Sequence, residues 1–362
     1  MIRKAFNPLC LVAMVMVTLL TICMGCEHRP LLLPETKNNV FVKIYFDENI
    51  RNVSYGFYNE EVQKPEYESP EVMRVALYDA FNNELVTERY MSDCGRDADG
   101  HYIQGYMNVP EGRYNMIAYN MDTYDTKITF EKFYNLMTAY TDELSENQTS
   151  QIFKSRENDF ISRSPISMQP DHLFVCRVTG VEILPAELQN GLDTIRTHDG
   201  QIPTAQTIVK TYYMQINVQG VQYVQSAVAL LTGMAGSKTL FDGEMVKDDE
   251  KSIFFGLQNG KEKRSPEEES TIAYATFSTF GKLPHTEGYI EISFEFNTIY
   301  NTVQTETIKV TDMFETPMVR DNQWIIIDKV IEIKPPEGTE EPGGGMQPGV
   351  RDWDIIEGYI TI

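Results

Sequence analysis

The fold is best inferred from residues 105–120, which read Gly-Tyr-Met-Asn-Val-Pro-Glu-Gly-Arg-Tyr-Asn-Met-Ile-Ala-Tyr-Asn. Pro110 presets φ for the first central position of a tight turn, and Gly112 supplies a permissive backbone where the chain must reverse. From Tyr114 to Asn120 the residues alternate as in a strand whose two faces are both fairly apolar. The stretch predicts a β-hairpin whose second strand lies inside a β-sandwich.

The N-terminus has the pattern of a secretory signal. Arg3 and Lys4 precede an apolar run from Leu9 to Cys23, and the chain turns polar after Cys26. This run is too short for a comfortable membrane span, and no later stretch approaches about 18 continuous apolar residues. We predict that residues 1–25 are removed and that residues 26–37 form a tether.

Cys26 is the candidate for lipid attachment. Gly25 is the small residue that lipoprotein processing requires directly before the acylated cysteine. Cys23 and Met24 stand where a leucine and a small residue are usual, so ordinary cleavage without a lipid is the alternative. The sequence therefore predicts a lipid such as palmitate on Cys26.

The composition excludes several functional classes. The chain carries 31 Lys and Arg against 53 Asp and Glu, a net charge of -22. Cleavage after Gly25 removes Arg3 and Lys4 and no acidic residue, which makes the net charge near -24. Such a charge repels nucleic acid, which we exclude as a partner.

After cleavage Cys26, Cys94 and Cys176 remain, and we favour unpaired thiols for the last two over a disulfide.

No constellation of residues points to catalysis or to a cofactor. The histidines occur without metal-ligand spacing, at His28, His101, His172, His198 and His285. The segment from Asp97 to Gly100 has the first half of a calcium-loop pattern but lacks the later oxygen ligands, so we interpret it as a turn. We predict a protein that is not an enzyme and that has no metal site.

Alternating β-branched and aromatic residues predict an all-β chain with two domains, residues 38–165 and residues 166–362. The predicted strands are 38–46, 72–79, 85–90 and the hairpin in the first domain, and 172–184, 207–218, 221–231, 271–280, 289–297, 302–311 and 323–333 in the second. Residues 93–100 are predicted to be a loop. Helical spacing of apolar residues predicts one surface helix within residues 130–144. The residues expected to fill the first core are Val42, Ile44, Val75, Leu77, Tyr114 and Ile117.

Four spaced features resemble the fimbrillin-associated anchor proteins, a family of fimbrillin-like lipoproteins from Gram-negative gut and oral bacteria. They are Cys26 to Leu31, the Pro110 to Asn120 stretch, a small-residue loop from Gly233 to Ser237, and the ending from Gly343 to Trp353. The resemblance implies two tandem transthyretin-like, Greek-key β-sandwiches with one or two short helices. It also implies a lipid-anchored protein on the surface of the outer membrane that binds fimbrial subunits as an anchor or accessory subunit in cell adhesion.

A surface glycan-binding lipoprotein is the alternative. Such a protein would present a flat, exposed platform of aromatic side chains beside polar groups. Trp324 and Trp353 both stand in apolar, strand-like contexts, where packing in a core is the better interpretation. Two or more coplanar, exposed tyrosines would favour glycan binding instead.

The C-terminal segment is the candidate for assembly with other subunits. Glycines at 343–345 and 349 free it on one side, and the chain end frees it on the other. In strand addition, main-chain hydrogen bonds supply affinity and side chains fill pockets. The candidate side chains of this segment are Trp353, Ile355, Ile356, Tyr359, Ile360 and Ile362. The alternative is a fixed edge strand that Trp353 packs in place.

Overall fold

The computed structural model describes residues 37–47, 69–155, 164–185, 188, 193–265, 268–284, 290–336 and 353–354. In this part of the chain the backbone is mainly β, as the sequence predicts. The first twelve strands are β1 (Lys37–Phe46), β2 (Met73–Asp79), β3 (Leu85–Met91), β4 (Asp93–Asp97), β5 (Gly100–Pro110), β6 (Gly112–Asn120), β7 (Thr126–Thr129), β8 (Thr138–Thr141), β9 (Ile166–Ser167), β10 (Phe174–Ile183), β11 (Asp193–Thr194) and β12 (Thr204–Thr207).

Nine more strands follow in the described residues. They are β13 (Lys210–Gln219), β14 (Val224–Ala235), β15 (Ser237–Thr239), β16 (Glu250–Gly256), β17 (Gln258–Ser265), β18 (Glu268–Thr279), β19 (Glu291–Thr298), β20 (Val303–Lys309) and β21 (Trp324–Glu332). Two short α-helices are described, α1 (Glu146–Ile152) and α2 (Pro317–Asn322). Single 3-10 turns occupy Val221–Tyr223 and Thr311–Glu315.

The first sandwich is one sheet that curls over itself. Its strand order is β3-β2-β6-β10-β12-β1-β5-β4, and β11 pairs with β1. The strand β12 pairs antiparallel with β10 and parallel with β1, so it joins the two halves at one edge. The apolar side chains between the halves form one core. A sandwich therefore results although every strand belongs to a continuous hydrogen-bonded path.

The stretch at 105–120 forms two strands but not the predicted hairpin. β5 pairs with β1 and β4, whereas β6 pairs with β2 and β10. The turn at Glu111 therefore crosses from one half of the sandwich to the other. Both strands carry apolar side chains that meet in the core, and packing across the sandwich determines their arrangement. The Tyr114 hydroxyl donates a hydrogen bond to the Pro110 carbonyl at 3.0 Å and so closes the turn.

Five of the six predicted core residues lie in the first core, namely Val42, Ile44, Val75, Leu77 and Tyr114. Ile117 is also fully buried, but it points to the opposite face of β6 and packs in a separate cluster. The prediction for Ile117 is wrong because alternation along a strand places Tyr114 and Met116 on one face and Ile117 on the other. Both faces of β6 are covered, which explains why both are apolar.

Two local predictions in the first domain are wrong. Part of the predicted loop at 93–100 is strand β4, which pairs with β5 around the turn at Asp97 to Gly100. The segment from Phe130 to Leu144 is not a helix, since it contains turns and the strand β8, which pairs with β7 and β15. The helix α1 begins later, where Ser145 and Gln148 form a capping box. Strand pairing outweighed the helical spacing of the apolar residues.

The second sandwich packs two sheets face to face. The sheets have the orders β17-β18-β13-β21 and β20-β19-β14-β16-β9. In the core between them, the rings of Phe255 and Phe277 stack at 4.1 Å between centroids, with an interplanar angle of 5°.

The predicted small-residue loop at 233–237 is wrong, because β14 continues to Ala235 and β15 begins at Ser237. Strands β16 and β17 were not predicted.

A third apolar cluster joins the two sandwiches. It covers the outer face of β2 and β6 with side chains from the loop before β8 and from the second half of the chain, and includes Tyr78, Tyr119, Tyr134, Leu173, Ile208, Leu240 and Phe280. Residues 172–184 were assigned to the second domain, but β10 pairs with β6 of the first. The division at residue 165 stays a prediction, and the pairing of β10 and β12 favours a later division near residue 208.

His172 directly precedes Leu173 of this third cluster, which we call the seam, and is expected to make the stability of the chain sensitive to acid. Its Nε2 atom lies 3.3 Å from Thr211 Oγ1. Burial lowers the pKa of His172 to about 4, and Asp171 acts in the opposite direction. The unfolded imidazole has a pKa of about 6.5, so the unfolded state binds the proton first. The contribution of His172 is fully present above pH 6.5, and we expect it to be lost as the pH falls towards 4.

Urea unfolding at a series of pH values measures this effect. The loss of stability between pH 6.5 and pH 4 should become smaller in His172→Gln. His198→Gln is the matched control, because the His198 side chain is fully exposed. An identical pH dependence in the His172→Gln variant and the parent would contradict the assignment.

Candidate functional site

The structure describes only part of the predicted site. Trp353 and Asp354 of the assembly segment are described. The lipid-attachment residue Cys26 lies outside the described residues, as do Ile355, Ile356, Tyr359, Ile360 and Ile362. Trp353 is 4% exposed and belongs to the second core. Trp324 is buried as well, so packing in a core is confirmed for both tryptophans.

Trp353 is held by one hydrogen bond and one aromatic contact. Its Nε1 atom donates to the carbonyl of Val221 at 3.3 Å. Its ring meets Phe296 edge to face, with centroids 6.2 Å apart and planes at 82°. The indole thus buries its apolar surface and also satisfies its single donor, as a buried tryptophan requires.

Asp354, directly after Trp353, bonds to strand β14. The Asp354 amide donates to the carbonyl of Gln225 at 2.8 Å, and Gln225 Nε2 donates back to Asp354 Oδ2 at 3.2 Å. Two residues further on, the Leu257 amide donates to the carbonyl of Ala227 at 2.9 Å. Carbonyls two residues apart point to the same side of a strand. Asp354 therefore bonds to β14 just beyond Val228, the last residue of β14 that pairs with β16.

Gly220 shapes the floor of this site. It adopts φ 81° immediately before the turn that contains Val221. A side chain at this position would place its Cβ 2.2 Å from the carbonyl oxygen of Ile333. Only glycine combines the positive φ with so close an approach of two backbones. The main chain that accepts the Trp353 hydrogen bond is fixed by this contact.

A row of aromatic side chains on the outer face of β1 and β5 is relevant to glycan binding. Phe41 and Tyr106 lie 5.1 Å apart with ring planes at 50°, and Tyr45 and Tyr102 lie 6.0 Å apart with planes at 83°. The Lys43 ammonium lies 3.9 Å from the centre of the Tyr102 ring. The rings of each pair are inclined to one another, so they do not form the flat platform that glycan binding requires.

Metal ligands, membrane-spanning helices and cysteine thiols are the remaining features considered. Within the ranges given above, no group of three or more His, Cys, Asp or Glu side chains is arranged to hold a metal ion. Over the same ranges, no helix has both the length and the apolarity needed to cross a bilayer. Cys94 and Cys176 are both free, as we predicted. Burial raises the pKa of the Cys176 thiol to about 12, so it stays protonated.

Sequence reasoning identified Trp353 but not the residues that hold it. Val221 and Gln225 both accept through their main-chain carbonyls, which every residue type carries, and no side-chain pattern could indicate those bonds. Gln225 adds a side-chain bond to Asp354, a contact between residues 129 positions apart. The available signal was Gly220, a glycine that ends the alternating pattern of β13 just before the site.

Three comparisons place the chain among known proteins. Residues 25–256 match a family described as "Domain of unknown function (DUF5119)". A protein of Bacteroides ovatus named "Putative fimbrium anchoring subunit Fim4B" is 24% identical over 369 residues, with 94% of each chain covered. The resemblance to fimbrial anchor proteins that the sequence predicts is thereby confirmed.

Solved structures are similar as well. The chain matches a crystal structure of "a putative adhesin" from Bacteroides ovatus with a TM-score of 0.54 and 21% identity, covering 87% of this chain and 99% of the other. The fimbrial anchor protein Mfa2 of Porphyromonas gingivalis matches with a TM-score of 0.45 and 12% identity, over 82% of this chain and 90% of that one. The Bacteroides ovatus structure shows that the predicted β-sandwich fold is shared.

Proposed function

Since the chain belongs to the family described as DUF5119, we propose that it is a fimbrial anchoring or accessory subunit at the bacterial cell surface. One observation carries the proposal. The match to the protein named a fimbrium anchoring subunit extends over 94% of both chains, so it is not confined to one sandwich. A match confined to one sandwich would support only a shared domain.

We propose further that Cys26 is acylated and holds the chain on the outer membrane. The signal pattern of residues 1–25 and the Gly25-Cys26 pair support this step. The described fold begins at Lys37, so only ten residues separate the cysteine from β1. A chain attached in this way presents its first sandwich close to the bilayer and its second sandwich further out.

Fimbrial subunits are the proposed partners, and strand addition at the C-terminal segment is the proposed mode of binding. An added strand gains affinity from main-chain hydrogen bonds, while alternate side chains fill pockets and give specificity. The edge of β14 that bonds Asp354 is suited to this mode. The pairing of β14 with β16 ends at Val228, and the carbonyl of Gln225 lies beyond it and accepts the Asp354 amide. The Trp353 pocket supplies the first of the required side-chain contacts.

The anchoring role is tested in the bacterium that carries this chain. We expect mass spectrometry of the mature N-terminus to find a diacylglyceryl-modified Cys26. In a Cys26→Ser strain we expect the protein to leave the membrane fraction or stay unprocessed, and fimbriae to collect in the medium instead of on the cells. Both quantities can be measured by immunoblotting of washed cells and supernatant.

Cys94→Ser is the matched control, because it removes an exposed thiol from the folded part of the chain and leaves residue 26 intact. Fimbriae should stay on the cells in this strain. If Cys26→Ser leaves both the protein and the fimbriae on the membrane, the anchoring role is wrong. Fimbriae that stay attached while the protein is released would restrict the role to an accessory one.

A further inference from the structure

Several large apolar side chains are exposed at one end of the first sandwich. We call this end the tether end and define it by three features: the start of β1 at Lys37, the turn at Pro110 to Gly112, and the turn from Asp79 to Glu84. Lys37 lies opposite Pro110, and Asp79 lies opposite Tyr114. The strand β10 also finishes here, since Ile183 lies opposite Gly112. The chain between Cys26 and the fold therefore enters at this end.

The exposed apolar side chains of the tether end come from three separate segments. Phe81 is 86% exposed, Leu188 65% and Phe130 60%. Leu184 and Phe133 are partly exposed beside them. Exposing such large apolar side chains to water is unfavourable in free energy. Exposed apolar groups that lie together on a surface indicate contact with a partner or a membrane.

The turn that carries Phe81 is held firmly. The Asp79 carboxylate accepts hydrogen bonds from the amides of Phe81 and Asn82, at 2.8 and 3.0 Å. The Ala80 amide donates to the carbonyl of Arg113 at 3.0 Å. These bonds fix the main chain on both sides of the side chain, so the exposure of Phe81 is a property of the fold and not of a frayed turn.

The loop that carries Phe130 and Phe133 is fixed to the same turn. The Leu85 amide donates to the carbonyl of Lys132 at 3.0 Å, and the Tyr134 amide donates to the carbonyl of Asn83 at 2.8 Å. Phe130 itself has φ 57°, a conformation that aromatic residues rarely adopt. The surrounding contacts thus maintain an unfavourable backbone that directs an aromatic side chain into solvent.

We propose that the tether end lies directly against the lipid bilayer, with Phe81, Phe130 and Leu188 inserted at its surface. This inference rests on the proposed attachment of the chain at Cys26. The eleven residue steps from Cys26 to Lys37 can span at most roughly 40 Å. Because the chain enters the fold at Lys37, the tether end is the end of the sandwich nearest to the attachment point.

The chemistry of the end fits a bilayer surface. Phenylalanine and leucine side chains gain free energy when they are buried at the boundary between headgroups and acyl chains. Each contact is weak alone, but the lipid on Cys26 already holds the chain in place, so the side chains need only orient it. The acidic chain is repelled by anionic lipids, and the insertion must rest on apolar contact. The first sandwich would then stand upright on the membrane with the second sandwich directed outwards.

The test uses the full mature chain, joined through the thiol of residue 26 to a maleimide lipid in phosphatidylcholine vesicles. Cys94→Ser is included throughout because Cys94 is exposed, whereas Cys176 is buried. Phe81→Trp places a fluorescent reporter at the tether end. Tyr124→Trp is the matched control, because Tyr124 is 78% exposed but follows Asn120 at the opposite end of β6. Trp324 and Trp353 are buried, and the parent chain measures their background.

We expect brominated lipids to remove most of the emission of the tryptophan at position 81 and to shift its maximum to the blue. The tryptophan at position 124 should keep its emission and its maximum. Equal quenching at the two positions, or none at position 81, would overturn the proposal. The maleimide bond replaces the natural lipid, so the vesicle result does not depend on acylation in the cell. Failure of the proposed anchoring appears separately, as an unmodified Cys26 in the mass spectrum.

Discussion

Replacing Trp353 with alanine is expected to lower the free energy of unfolding by about 3–5 kcal/mol, which is the usual range for removing a large aromatic side chain from a core. The indole is 4% exposed and contacts Phe296, and its N–H group donates a hydrogen bond to the carbonyl of Val221. Truncation leaves a cavity in the second core and removes one of the two hydrogen bonds to the Val221 carbonyl, which also accepts the Val224 amide. Urea unfolding of the full mature chain measures the loss from the shift of the midpoint.

Trp353→Phe is the matched control. It keeps an aromatic ring in the pocket and removes the hydrogen bond, so we expect a smaller loss, and the bond itself accounts for about 1 kcal/mol of it. A loss below about 0.5 kcal/mol in Trp353→Ala would show that the segment contributes no more than a surface residue does. The C-terminal segment would then be released easily, and a fixed edge strand would be excluded.

Deleting residues 350–362 separates packing from assembly. Global unfolding of the deletion would favour the fixed edge strand. A folded deletion can instead be offered a peptide of residues 350–362, and strand addition predicts that this peptide restores the lost stability. The same peptide with Trp353→Ala should fail to restore it. If a well-folded deletion still holds fimbriae on the cells, the segment has no part in assembly.

Leu77→Ala is expected to destabilise the first sandwich by about 2–5 kcal/mol. Leu77 is fully buried on β2, between Thr87 of β3 and Met116 of β6. Its neighbours lie on paired strands that cannot move inwards without breaking their hydrogen bonds, so much of the cavity should persist. The expected loss is measured by urea unfolding, followed by circular dichroism.

Val86→Ala is the control for Leu77→Ala. Val86 lies on the adjacent strand β3 and is 41% exposed, so the loss should stay within about 0.5 kcal/mol. If both variants lose the same small amount, the first core does not depend on β2 and the packing described above is wrong. A change of slope with denaturant in Leu77→Ala would indicate a change in the unfolded state instead of a lost contact.

The local chemistry of the chain predicts where strands lie but not which strands pair. Pro110 and Gly112 mark a reversal correctly, and β6 ends at Asn120 as the pattern indicates, whereas β5 begins at Gly100, five residues before the predicted stretch. A chain reversal can join two strands that pair in one sheet, or it can carry the chain from one half of a sandwich to the other. Which of the two occurs depends on the other strands that are available for pairing. Here β2 and β10, from distant parts of the chain, occupy both edges of β6. No property of residues 105–120 records those partners.

The same limit explains the other wrong predictions. Phe133, Leu136, Met137 and Tyr140 have helical spacing, yet Phe133 and Leu136 are exposed while Met137 is buried. Strand β8 pairs with β7 on one side and with β15, roughly 100 residues away, on the other, and this pairing decides the local structure. By contrast, Ser145 and Gln148 form a capping box that could have been read from the sequence, because a cap uses only neighbouring residues.

The sequence by itself determined the β class, many of the longer strands, the burial of both tryptophans and the resemblance to fimbrial anchor proteins, because these depend on side-chain type and short-range alternation. Only the tertiary structure decided that β10 and β12 complete the first sandwich, that Ile117 faces the seam, and that the segment after Trp353 bonds to Gln225. It also decided that Phe81, Phe130 and Leu188 share one end. Main-chain hydrogen bonds are available to every residue type, so contacts between distant strands leave no local signal in the chain.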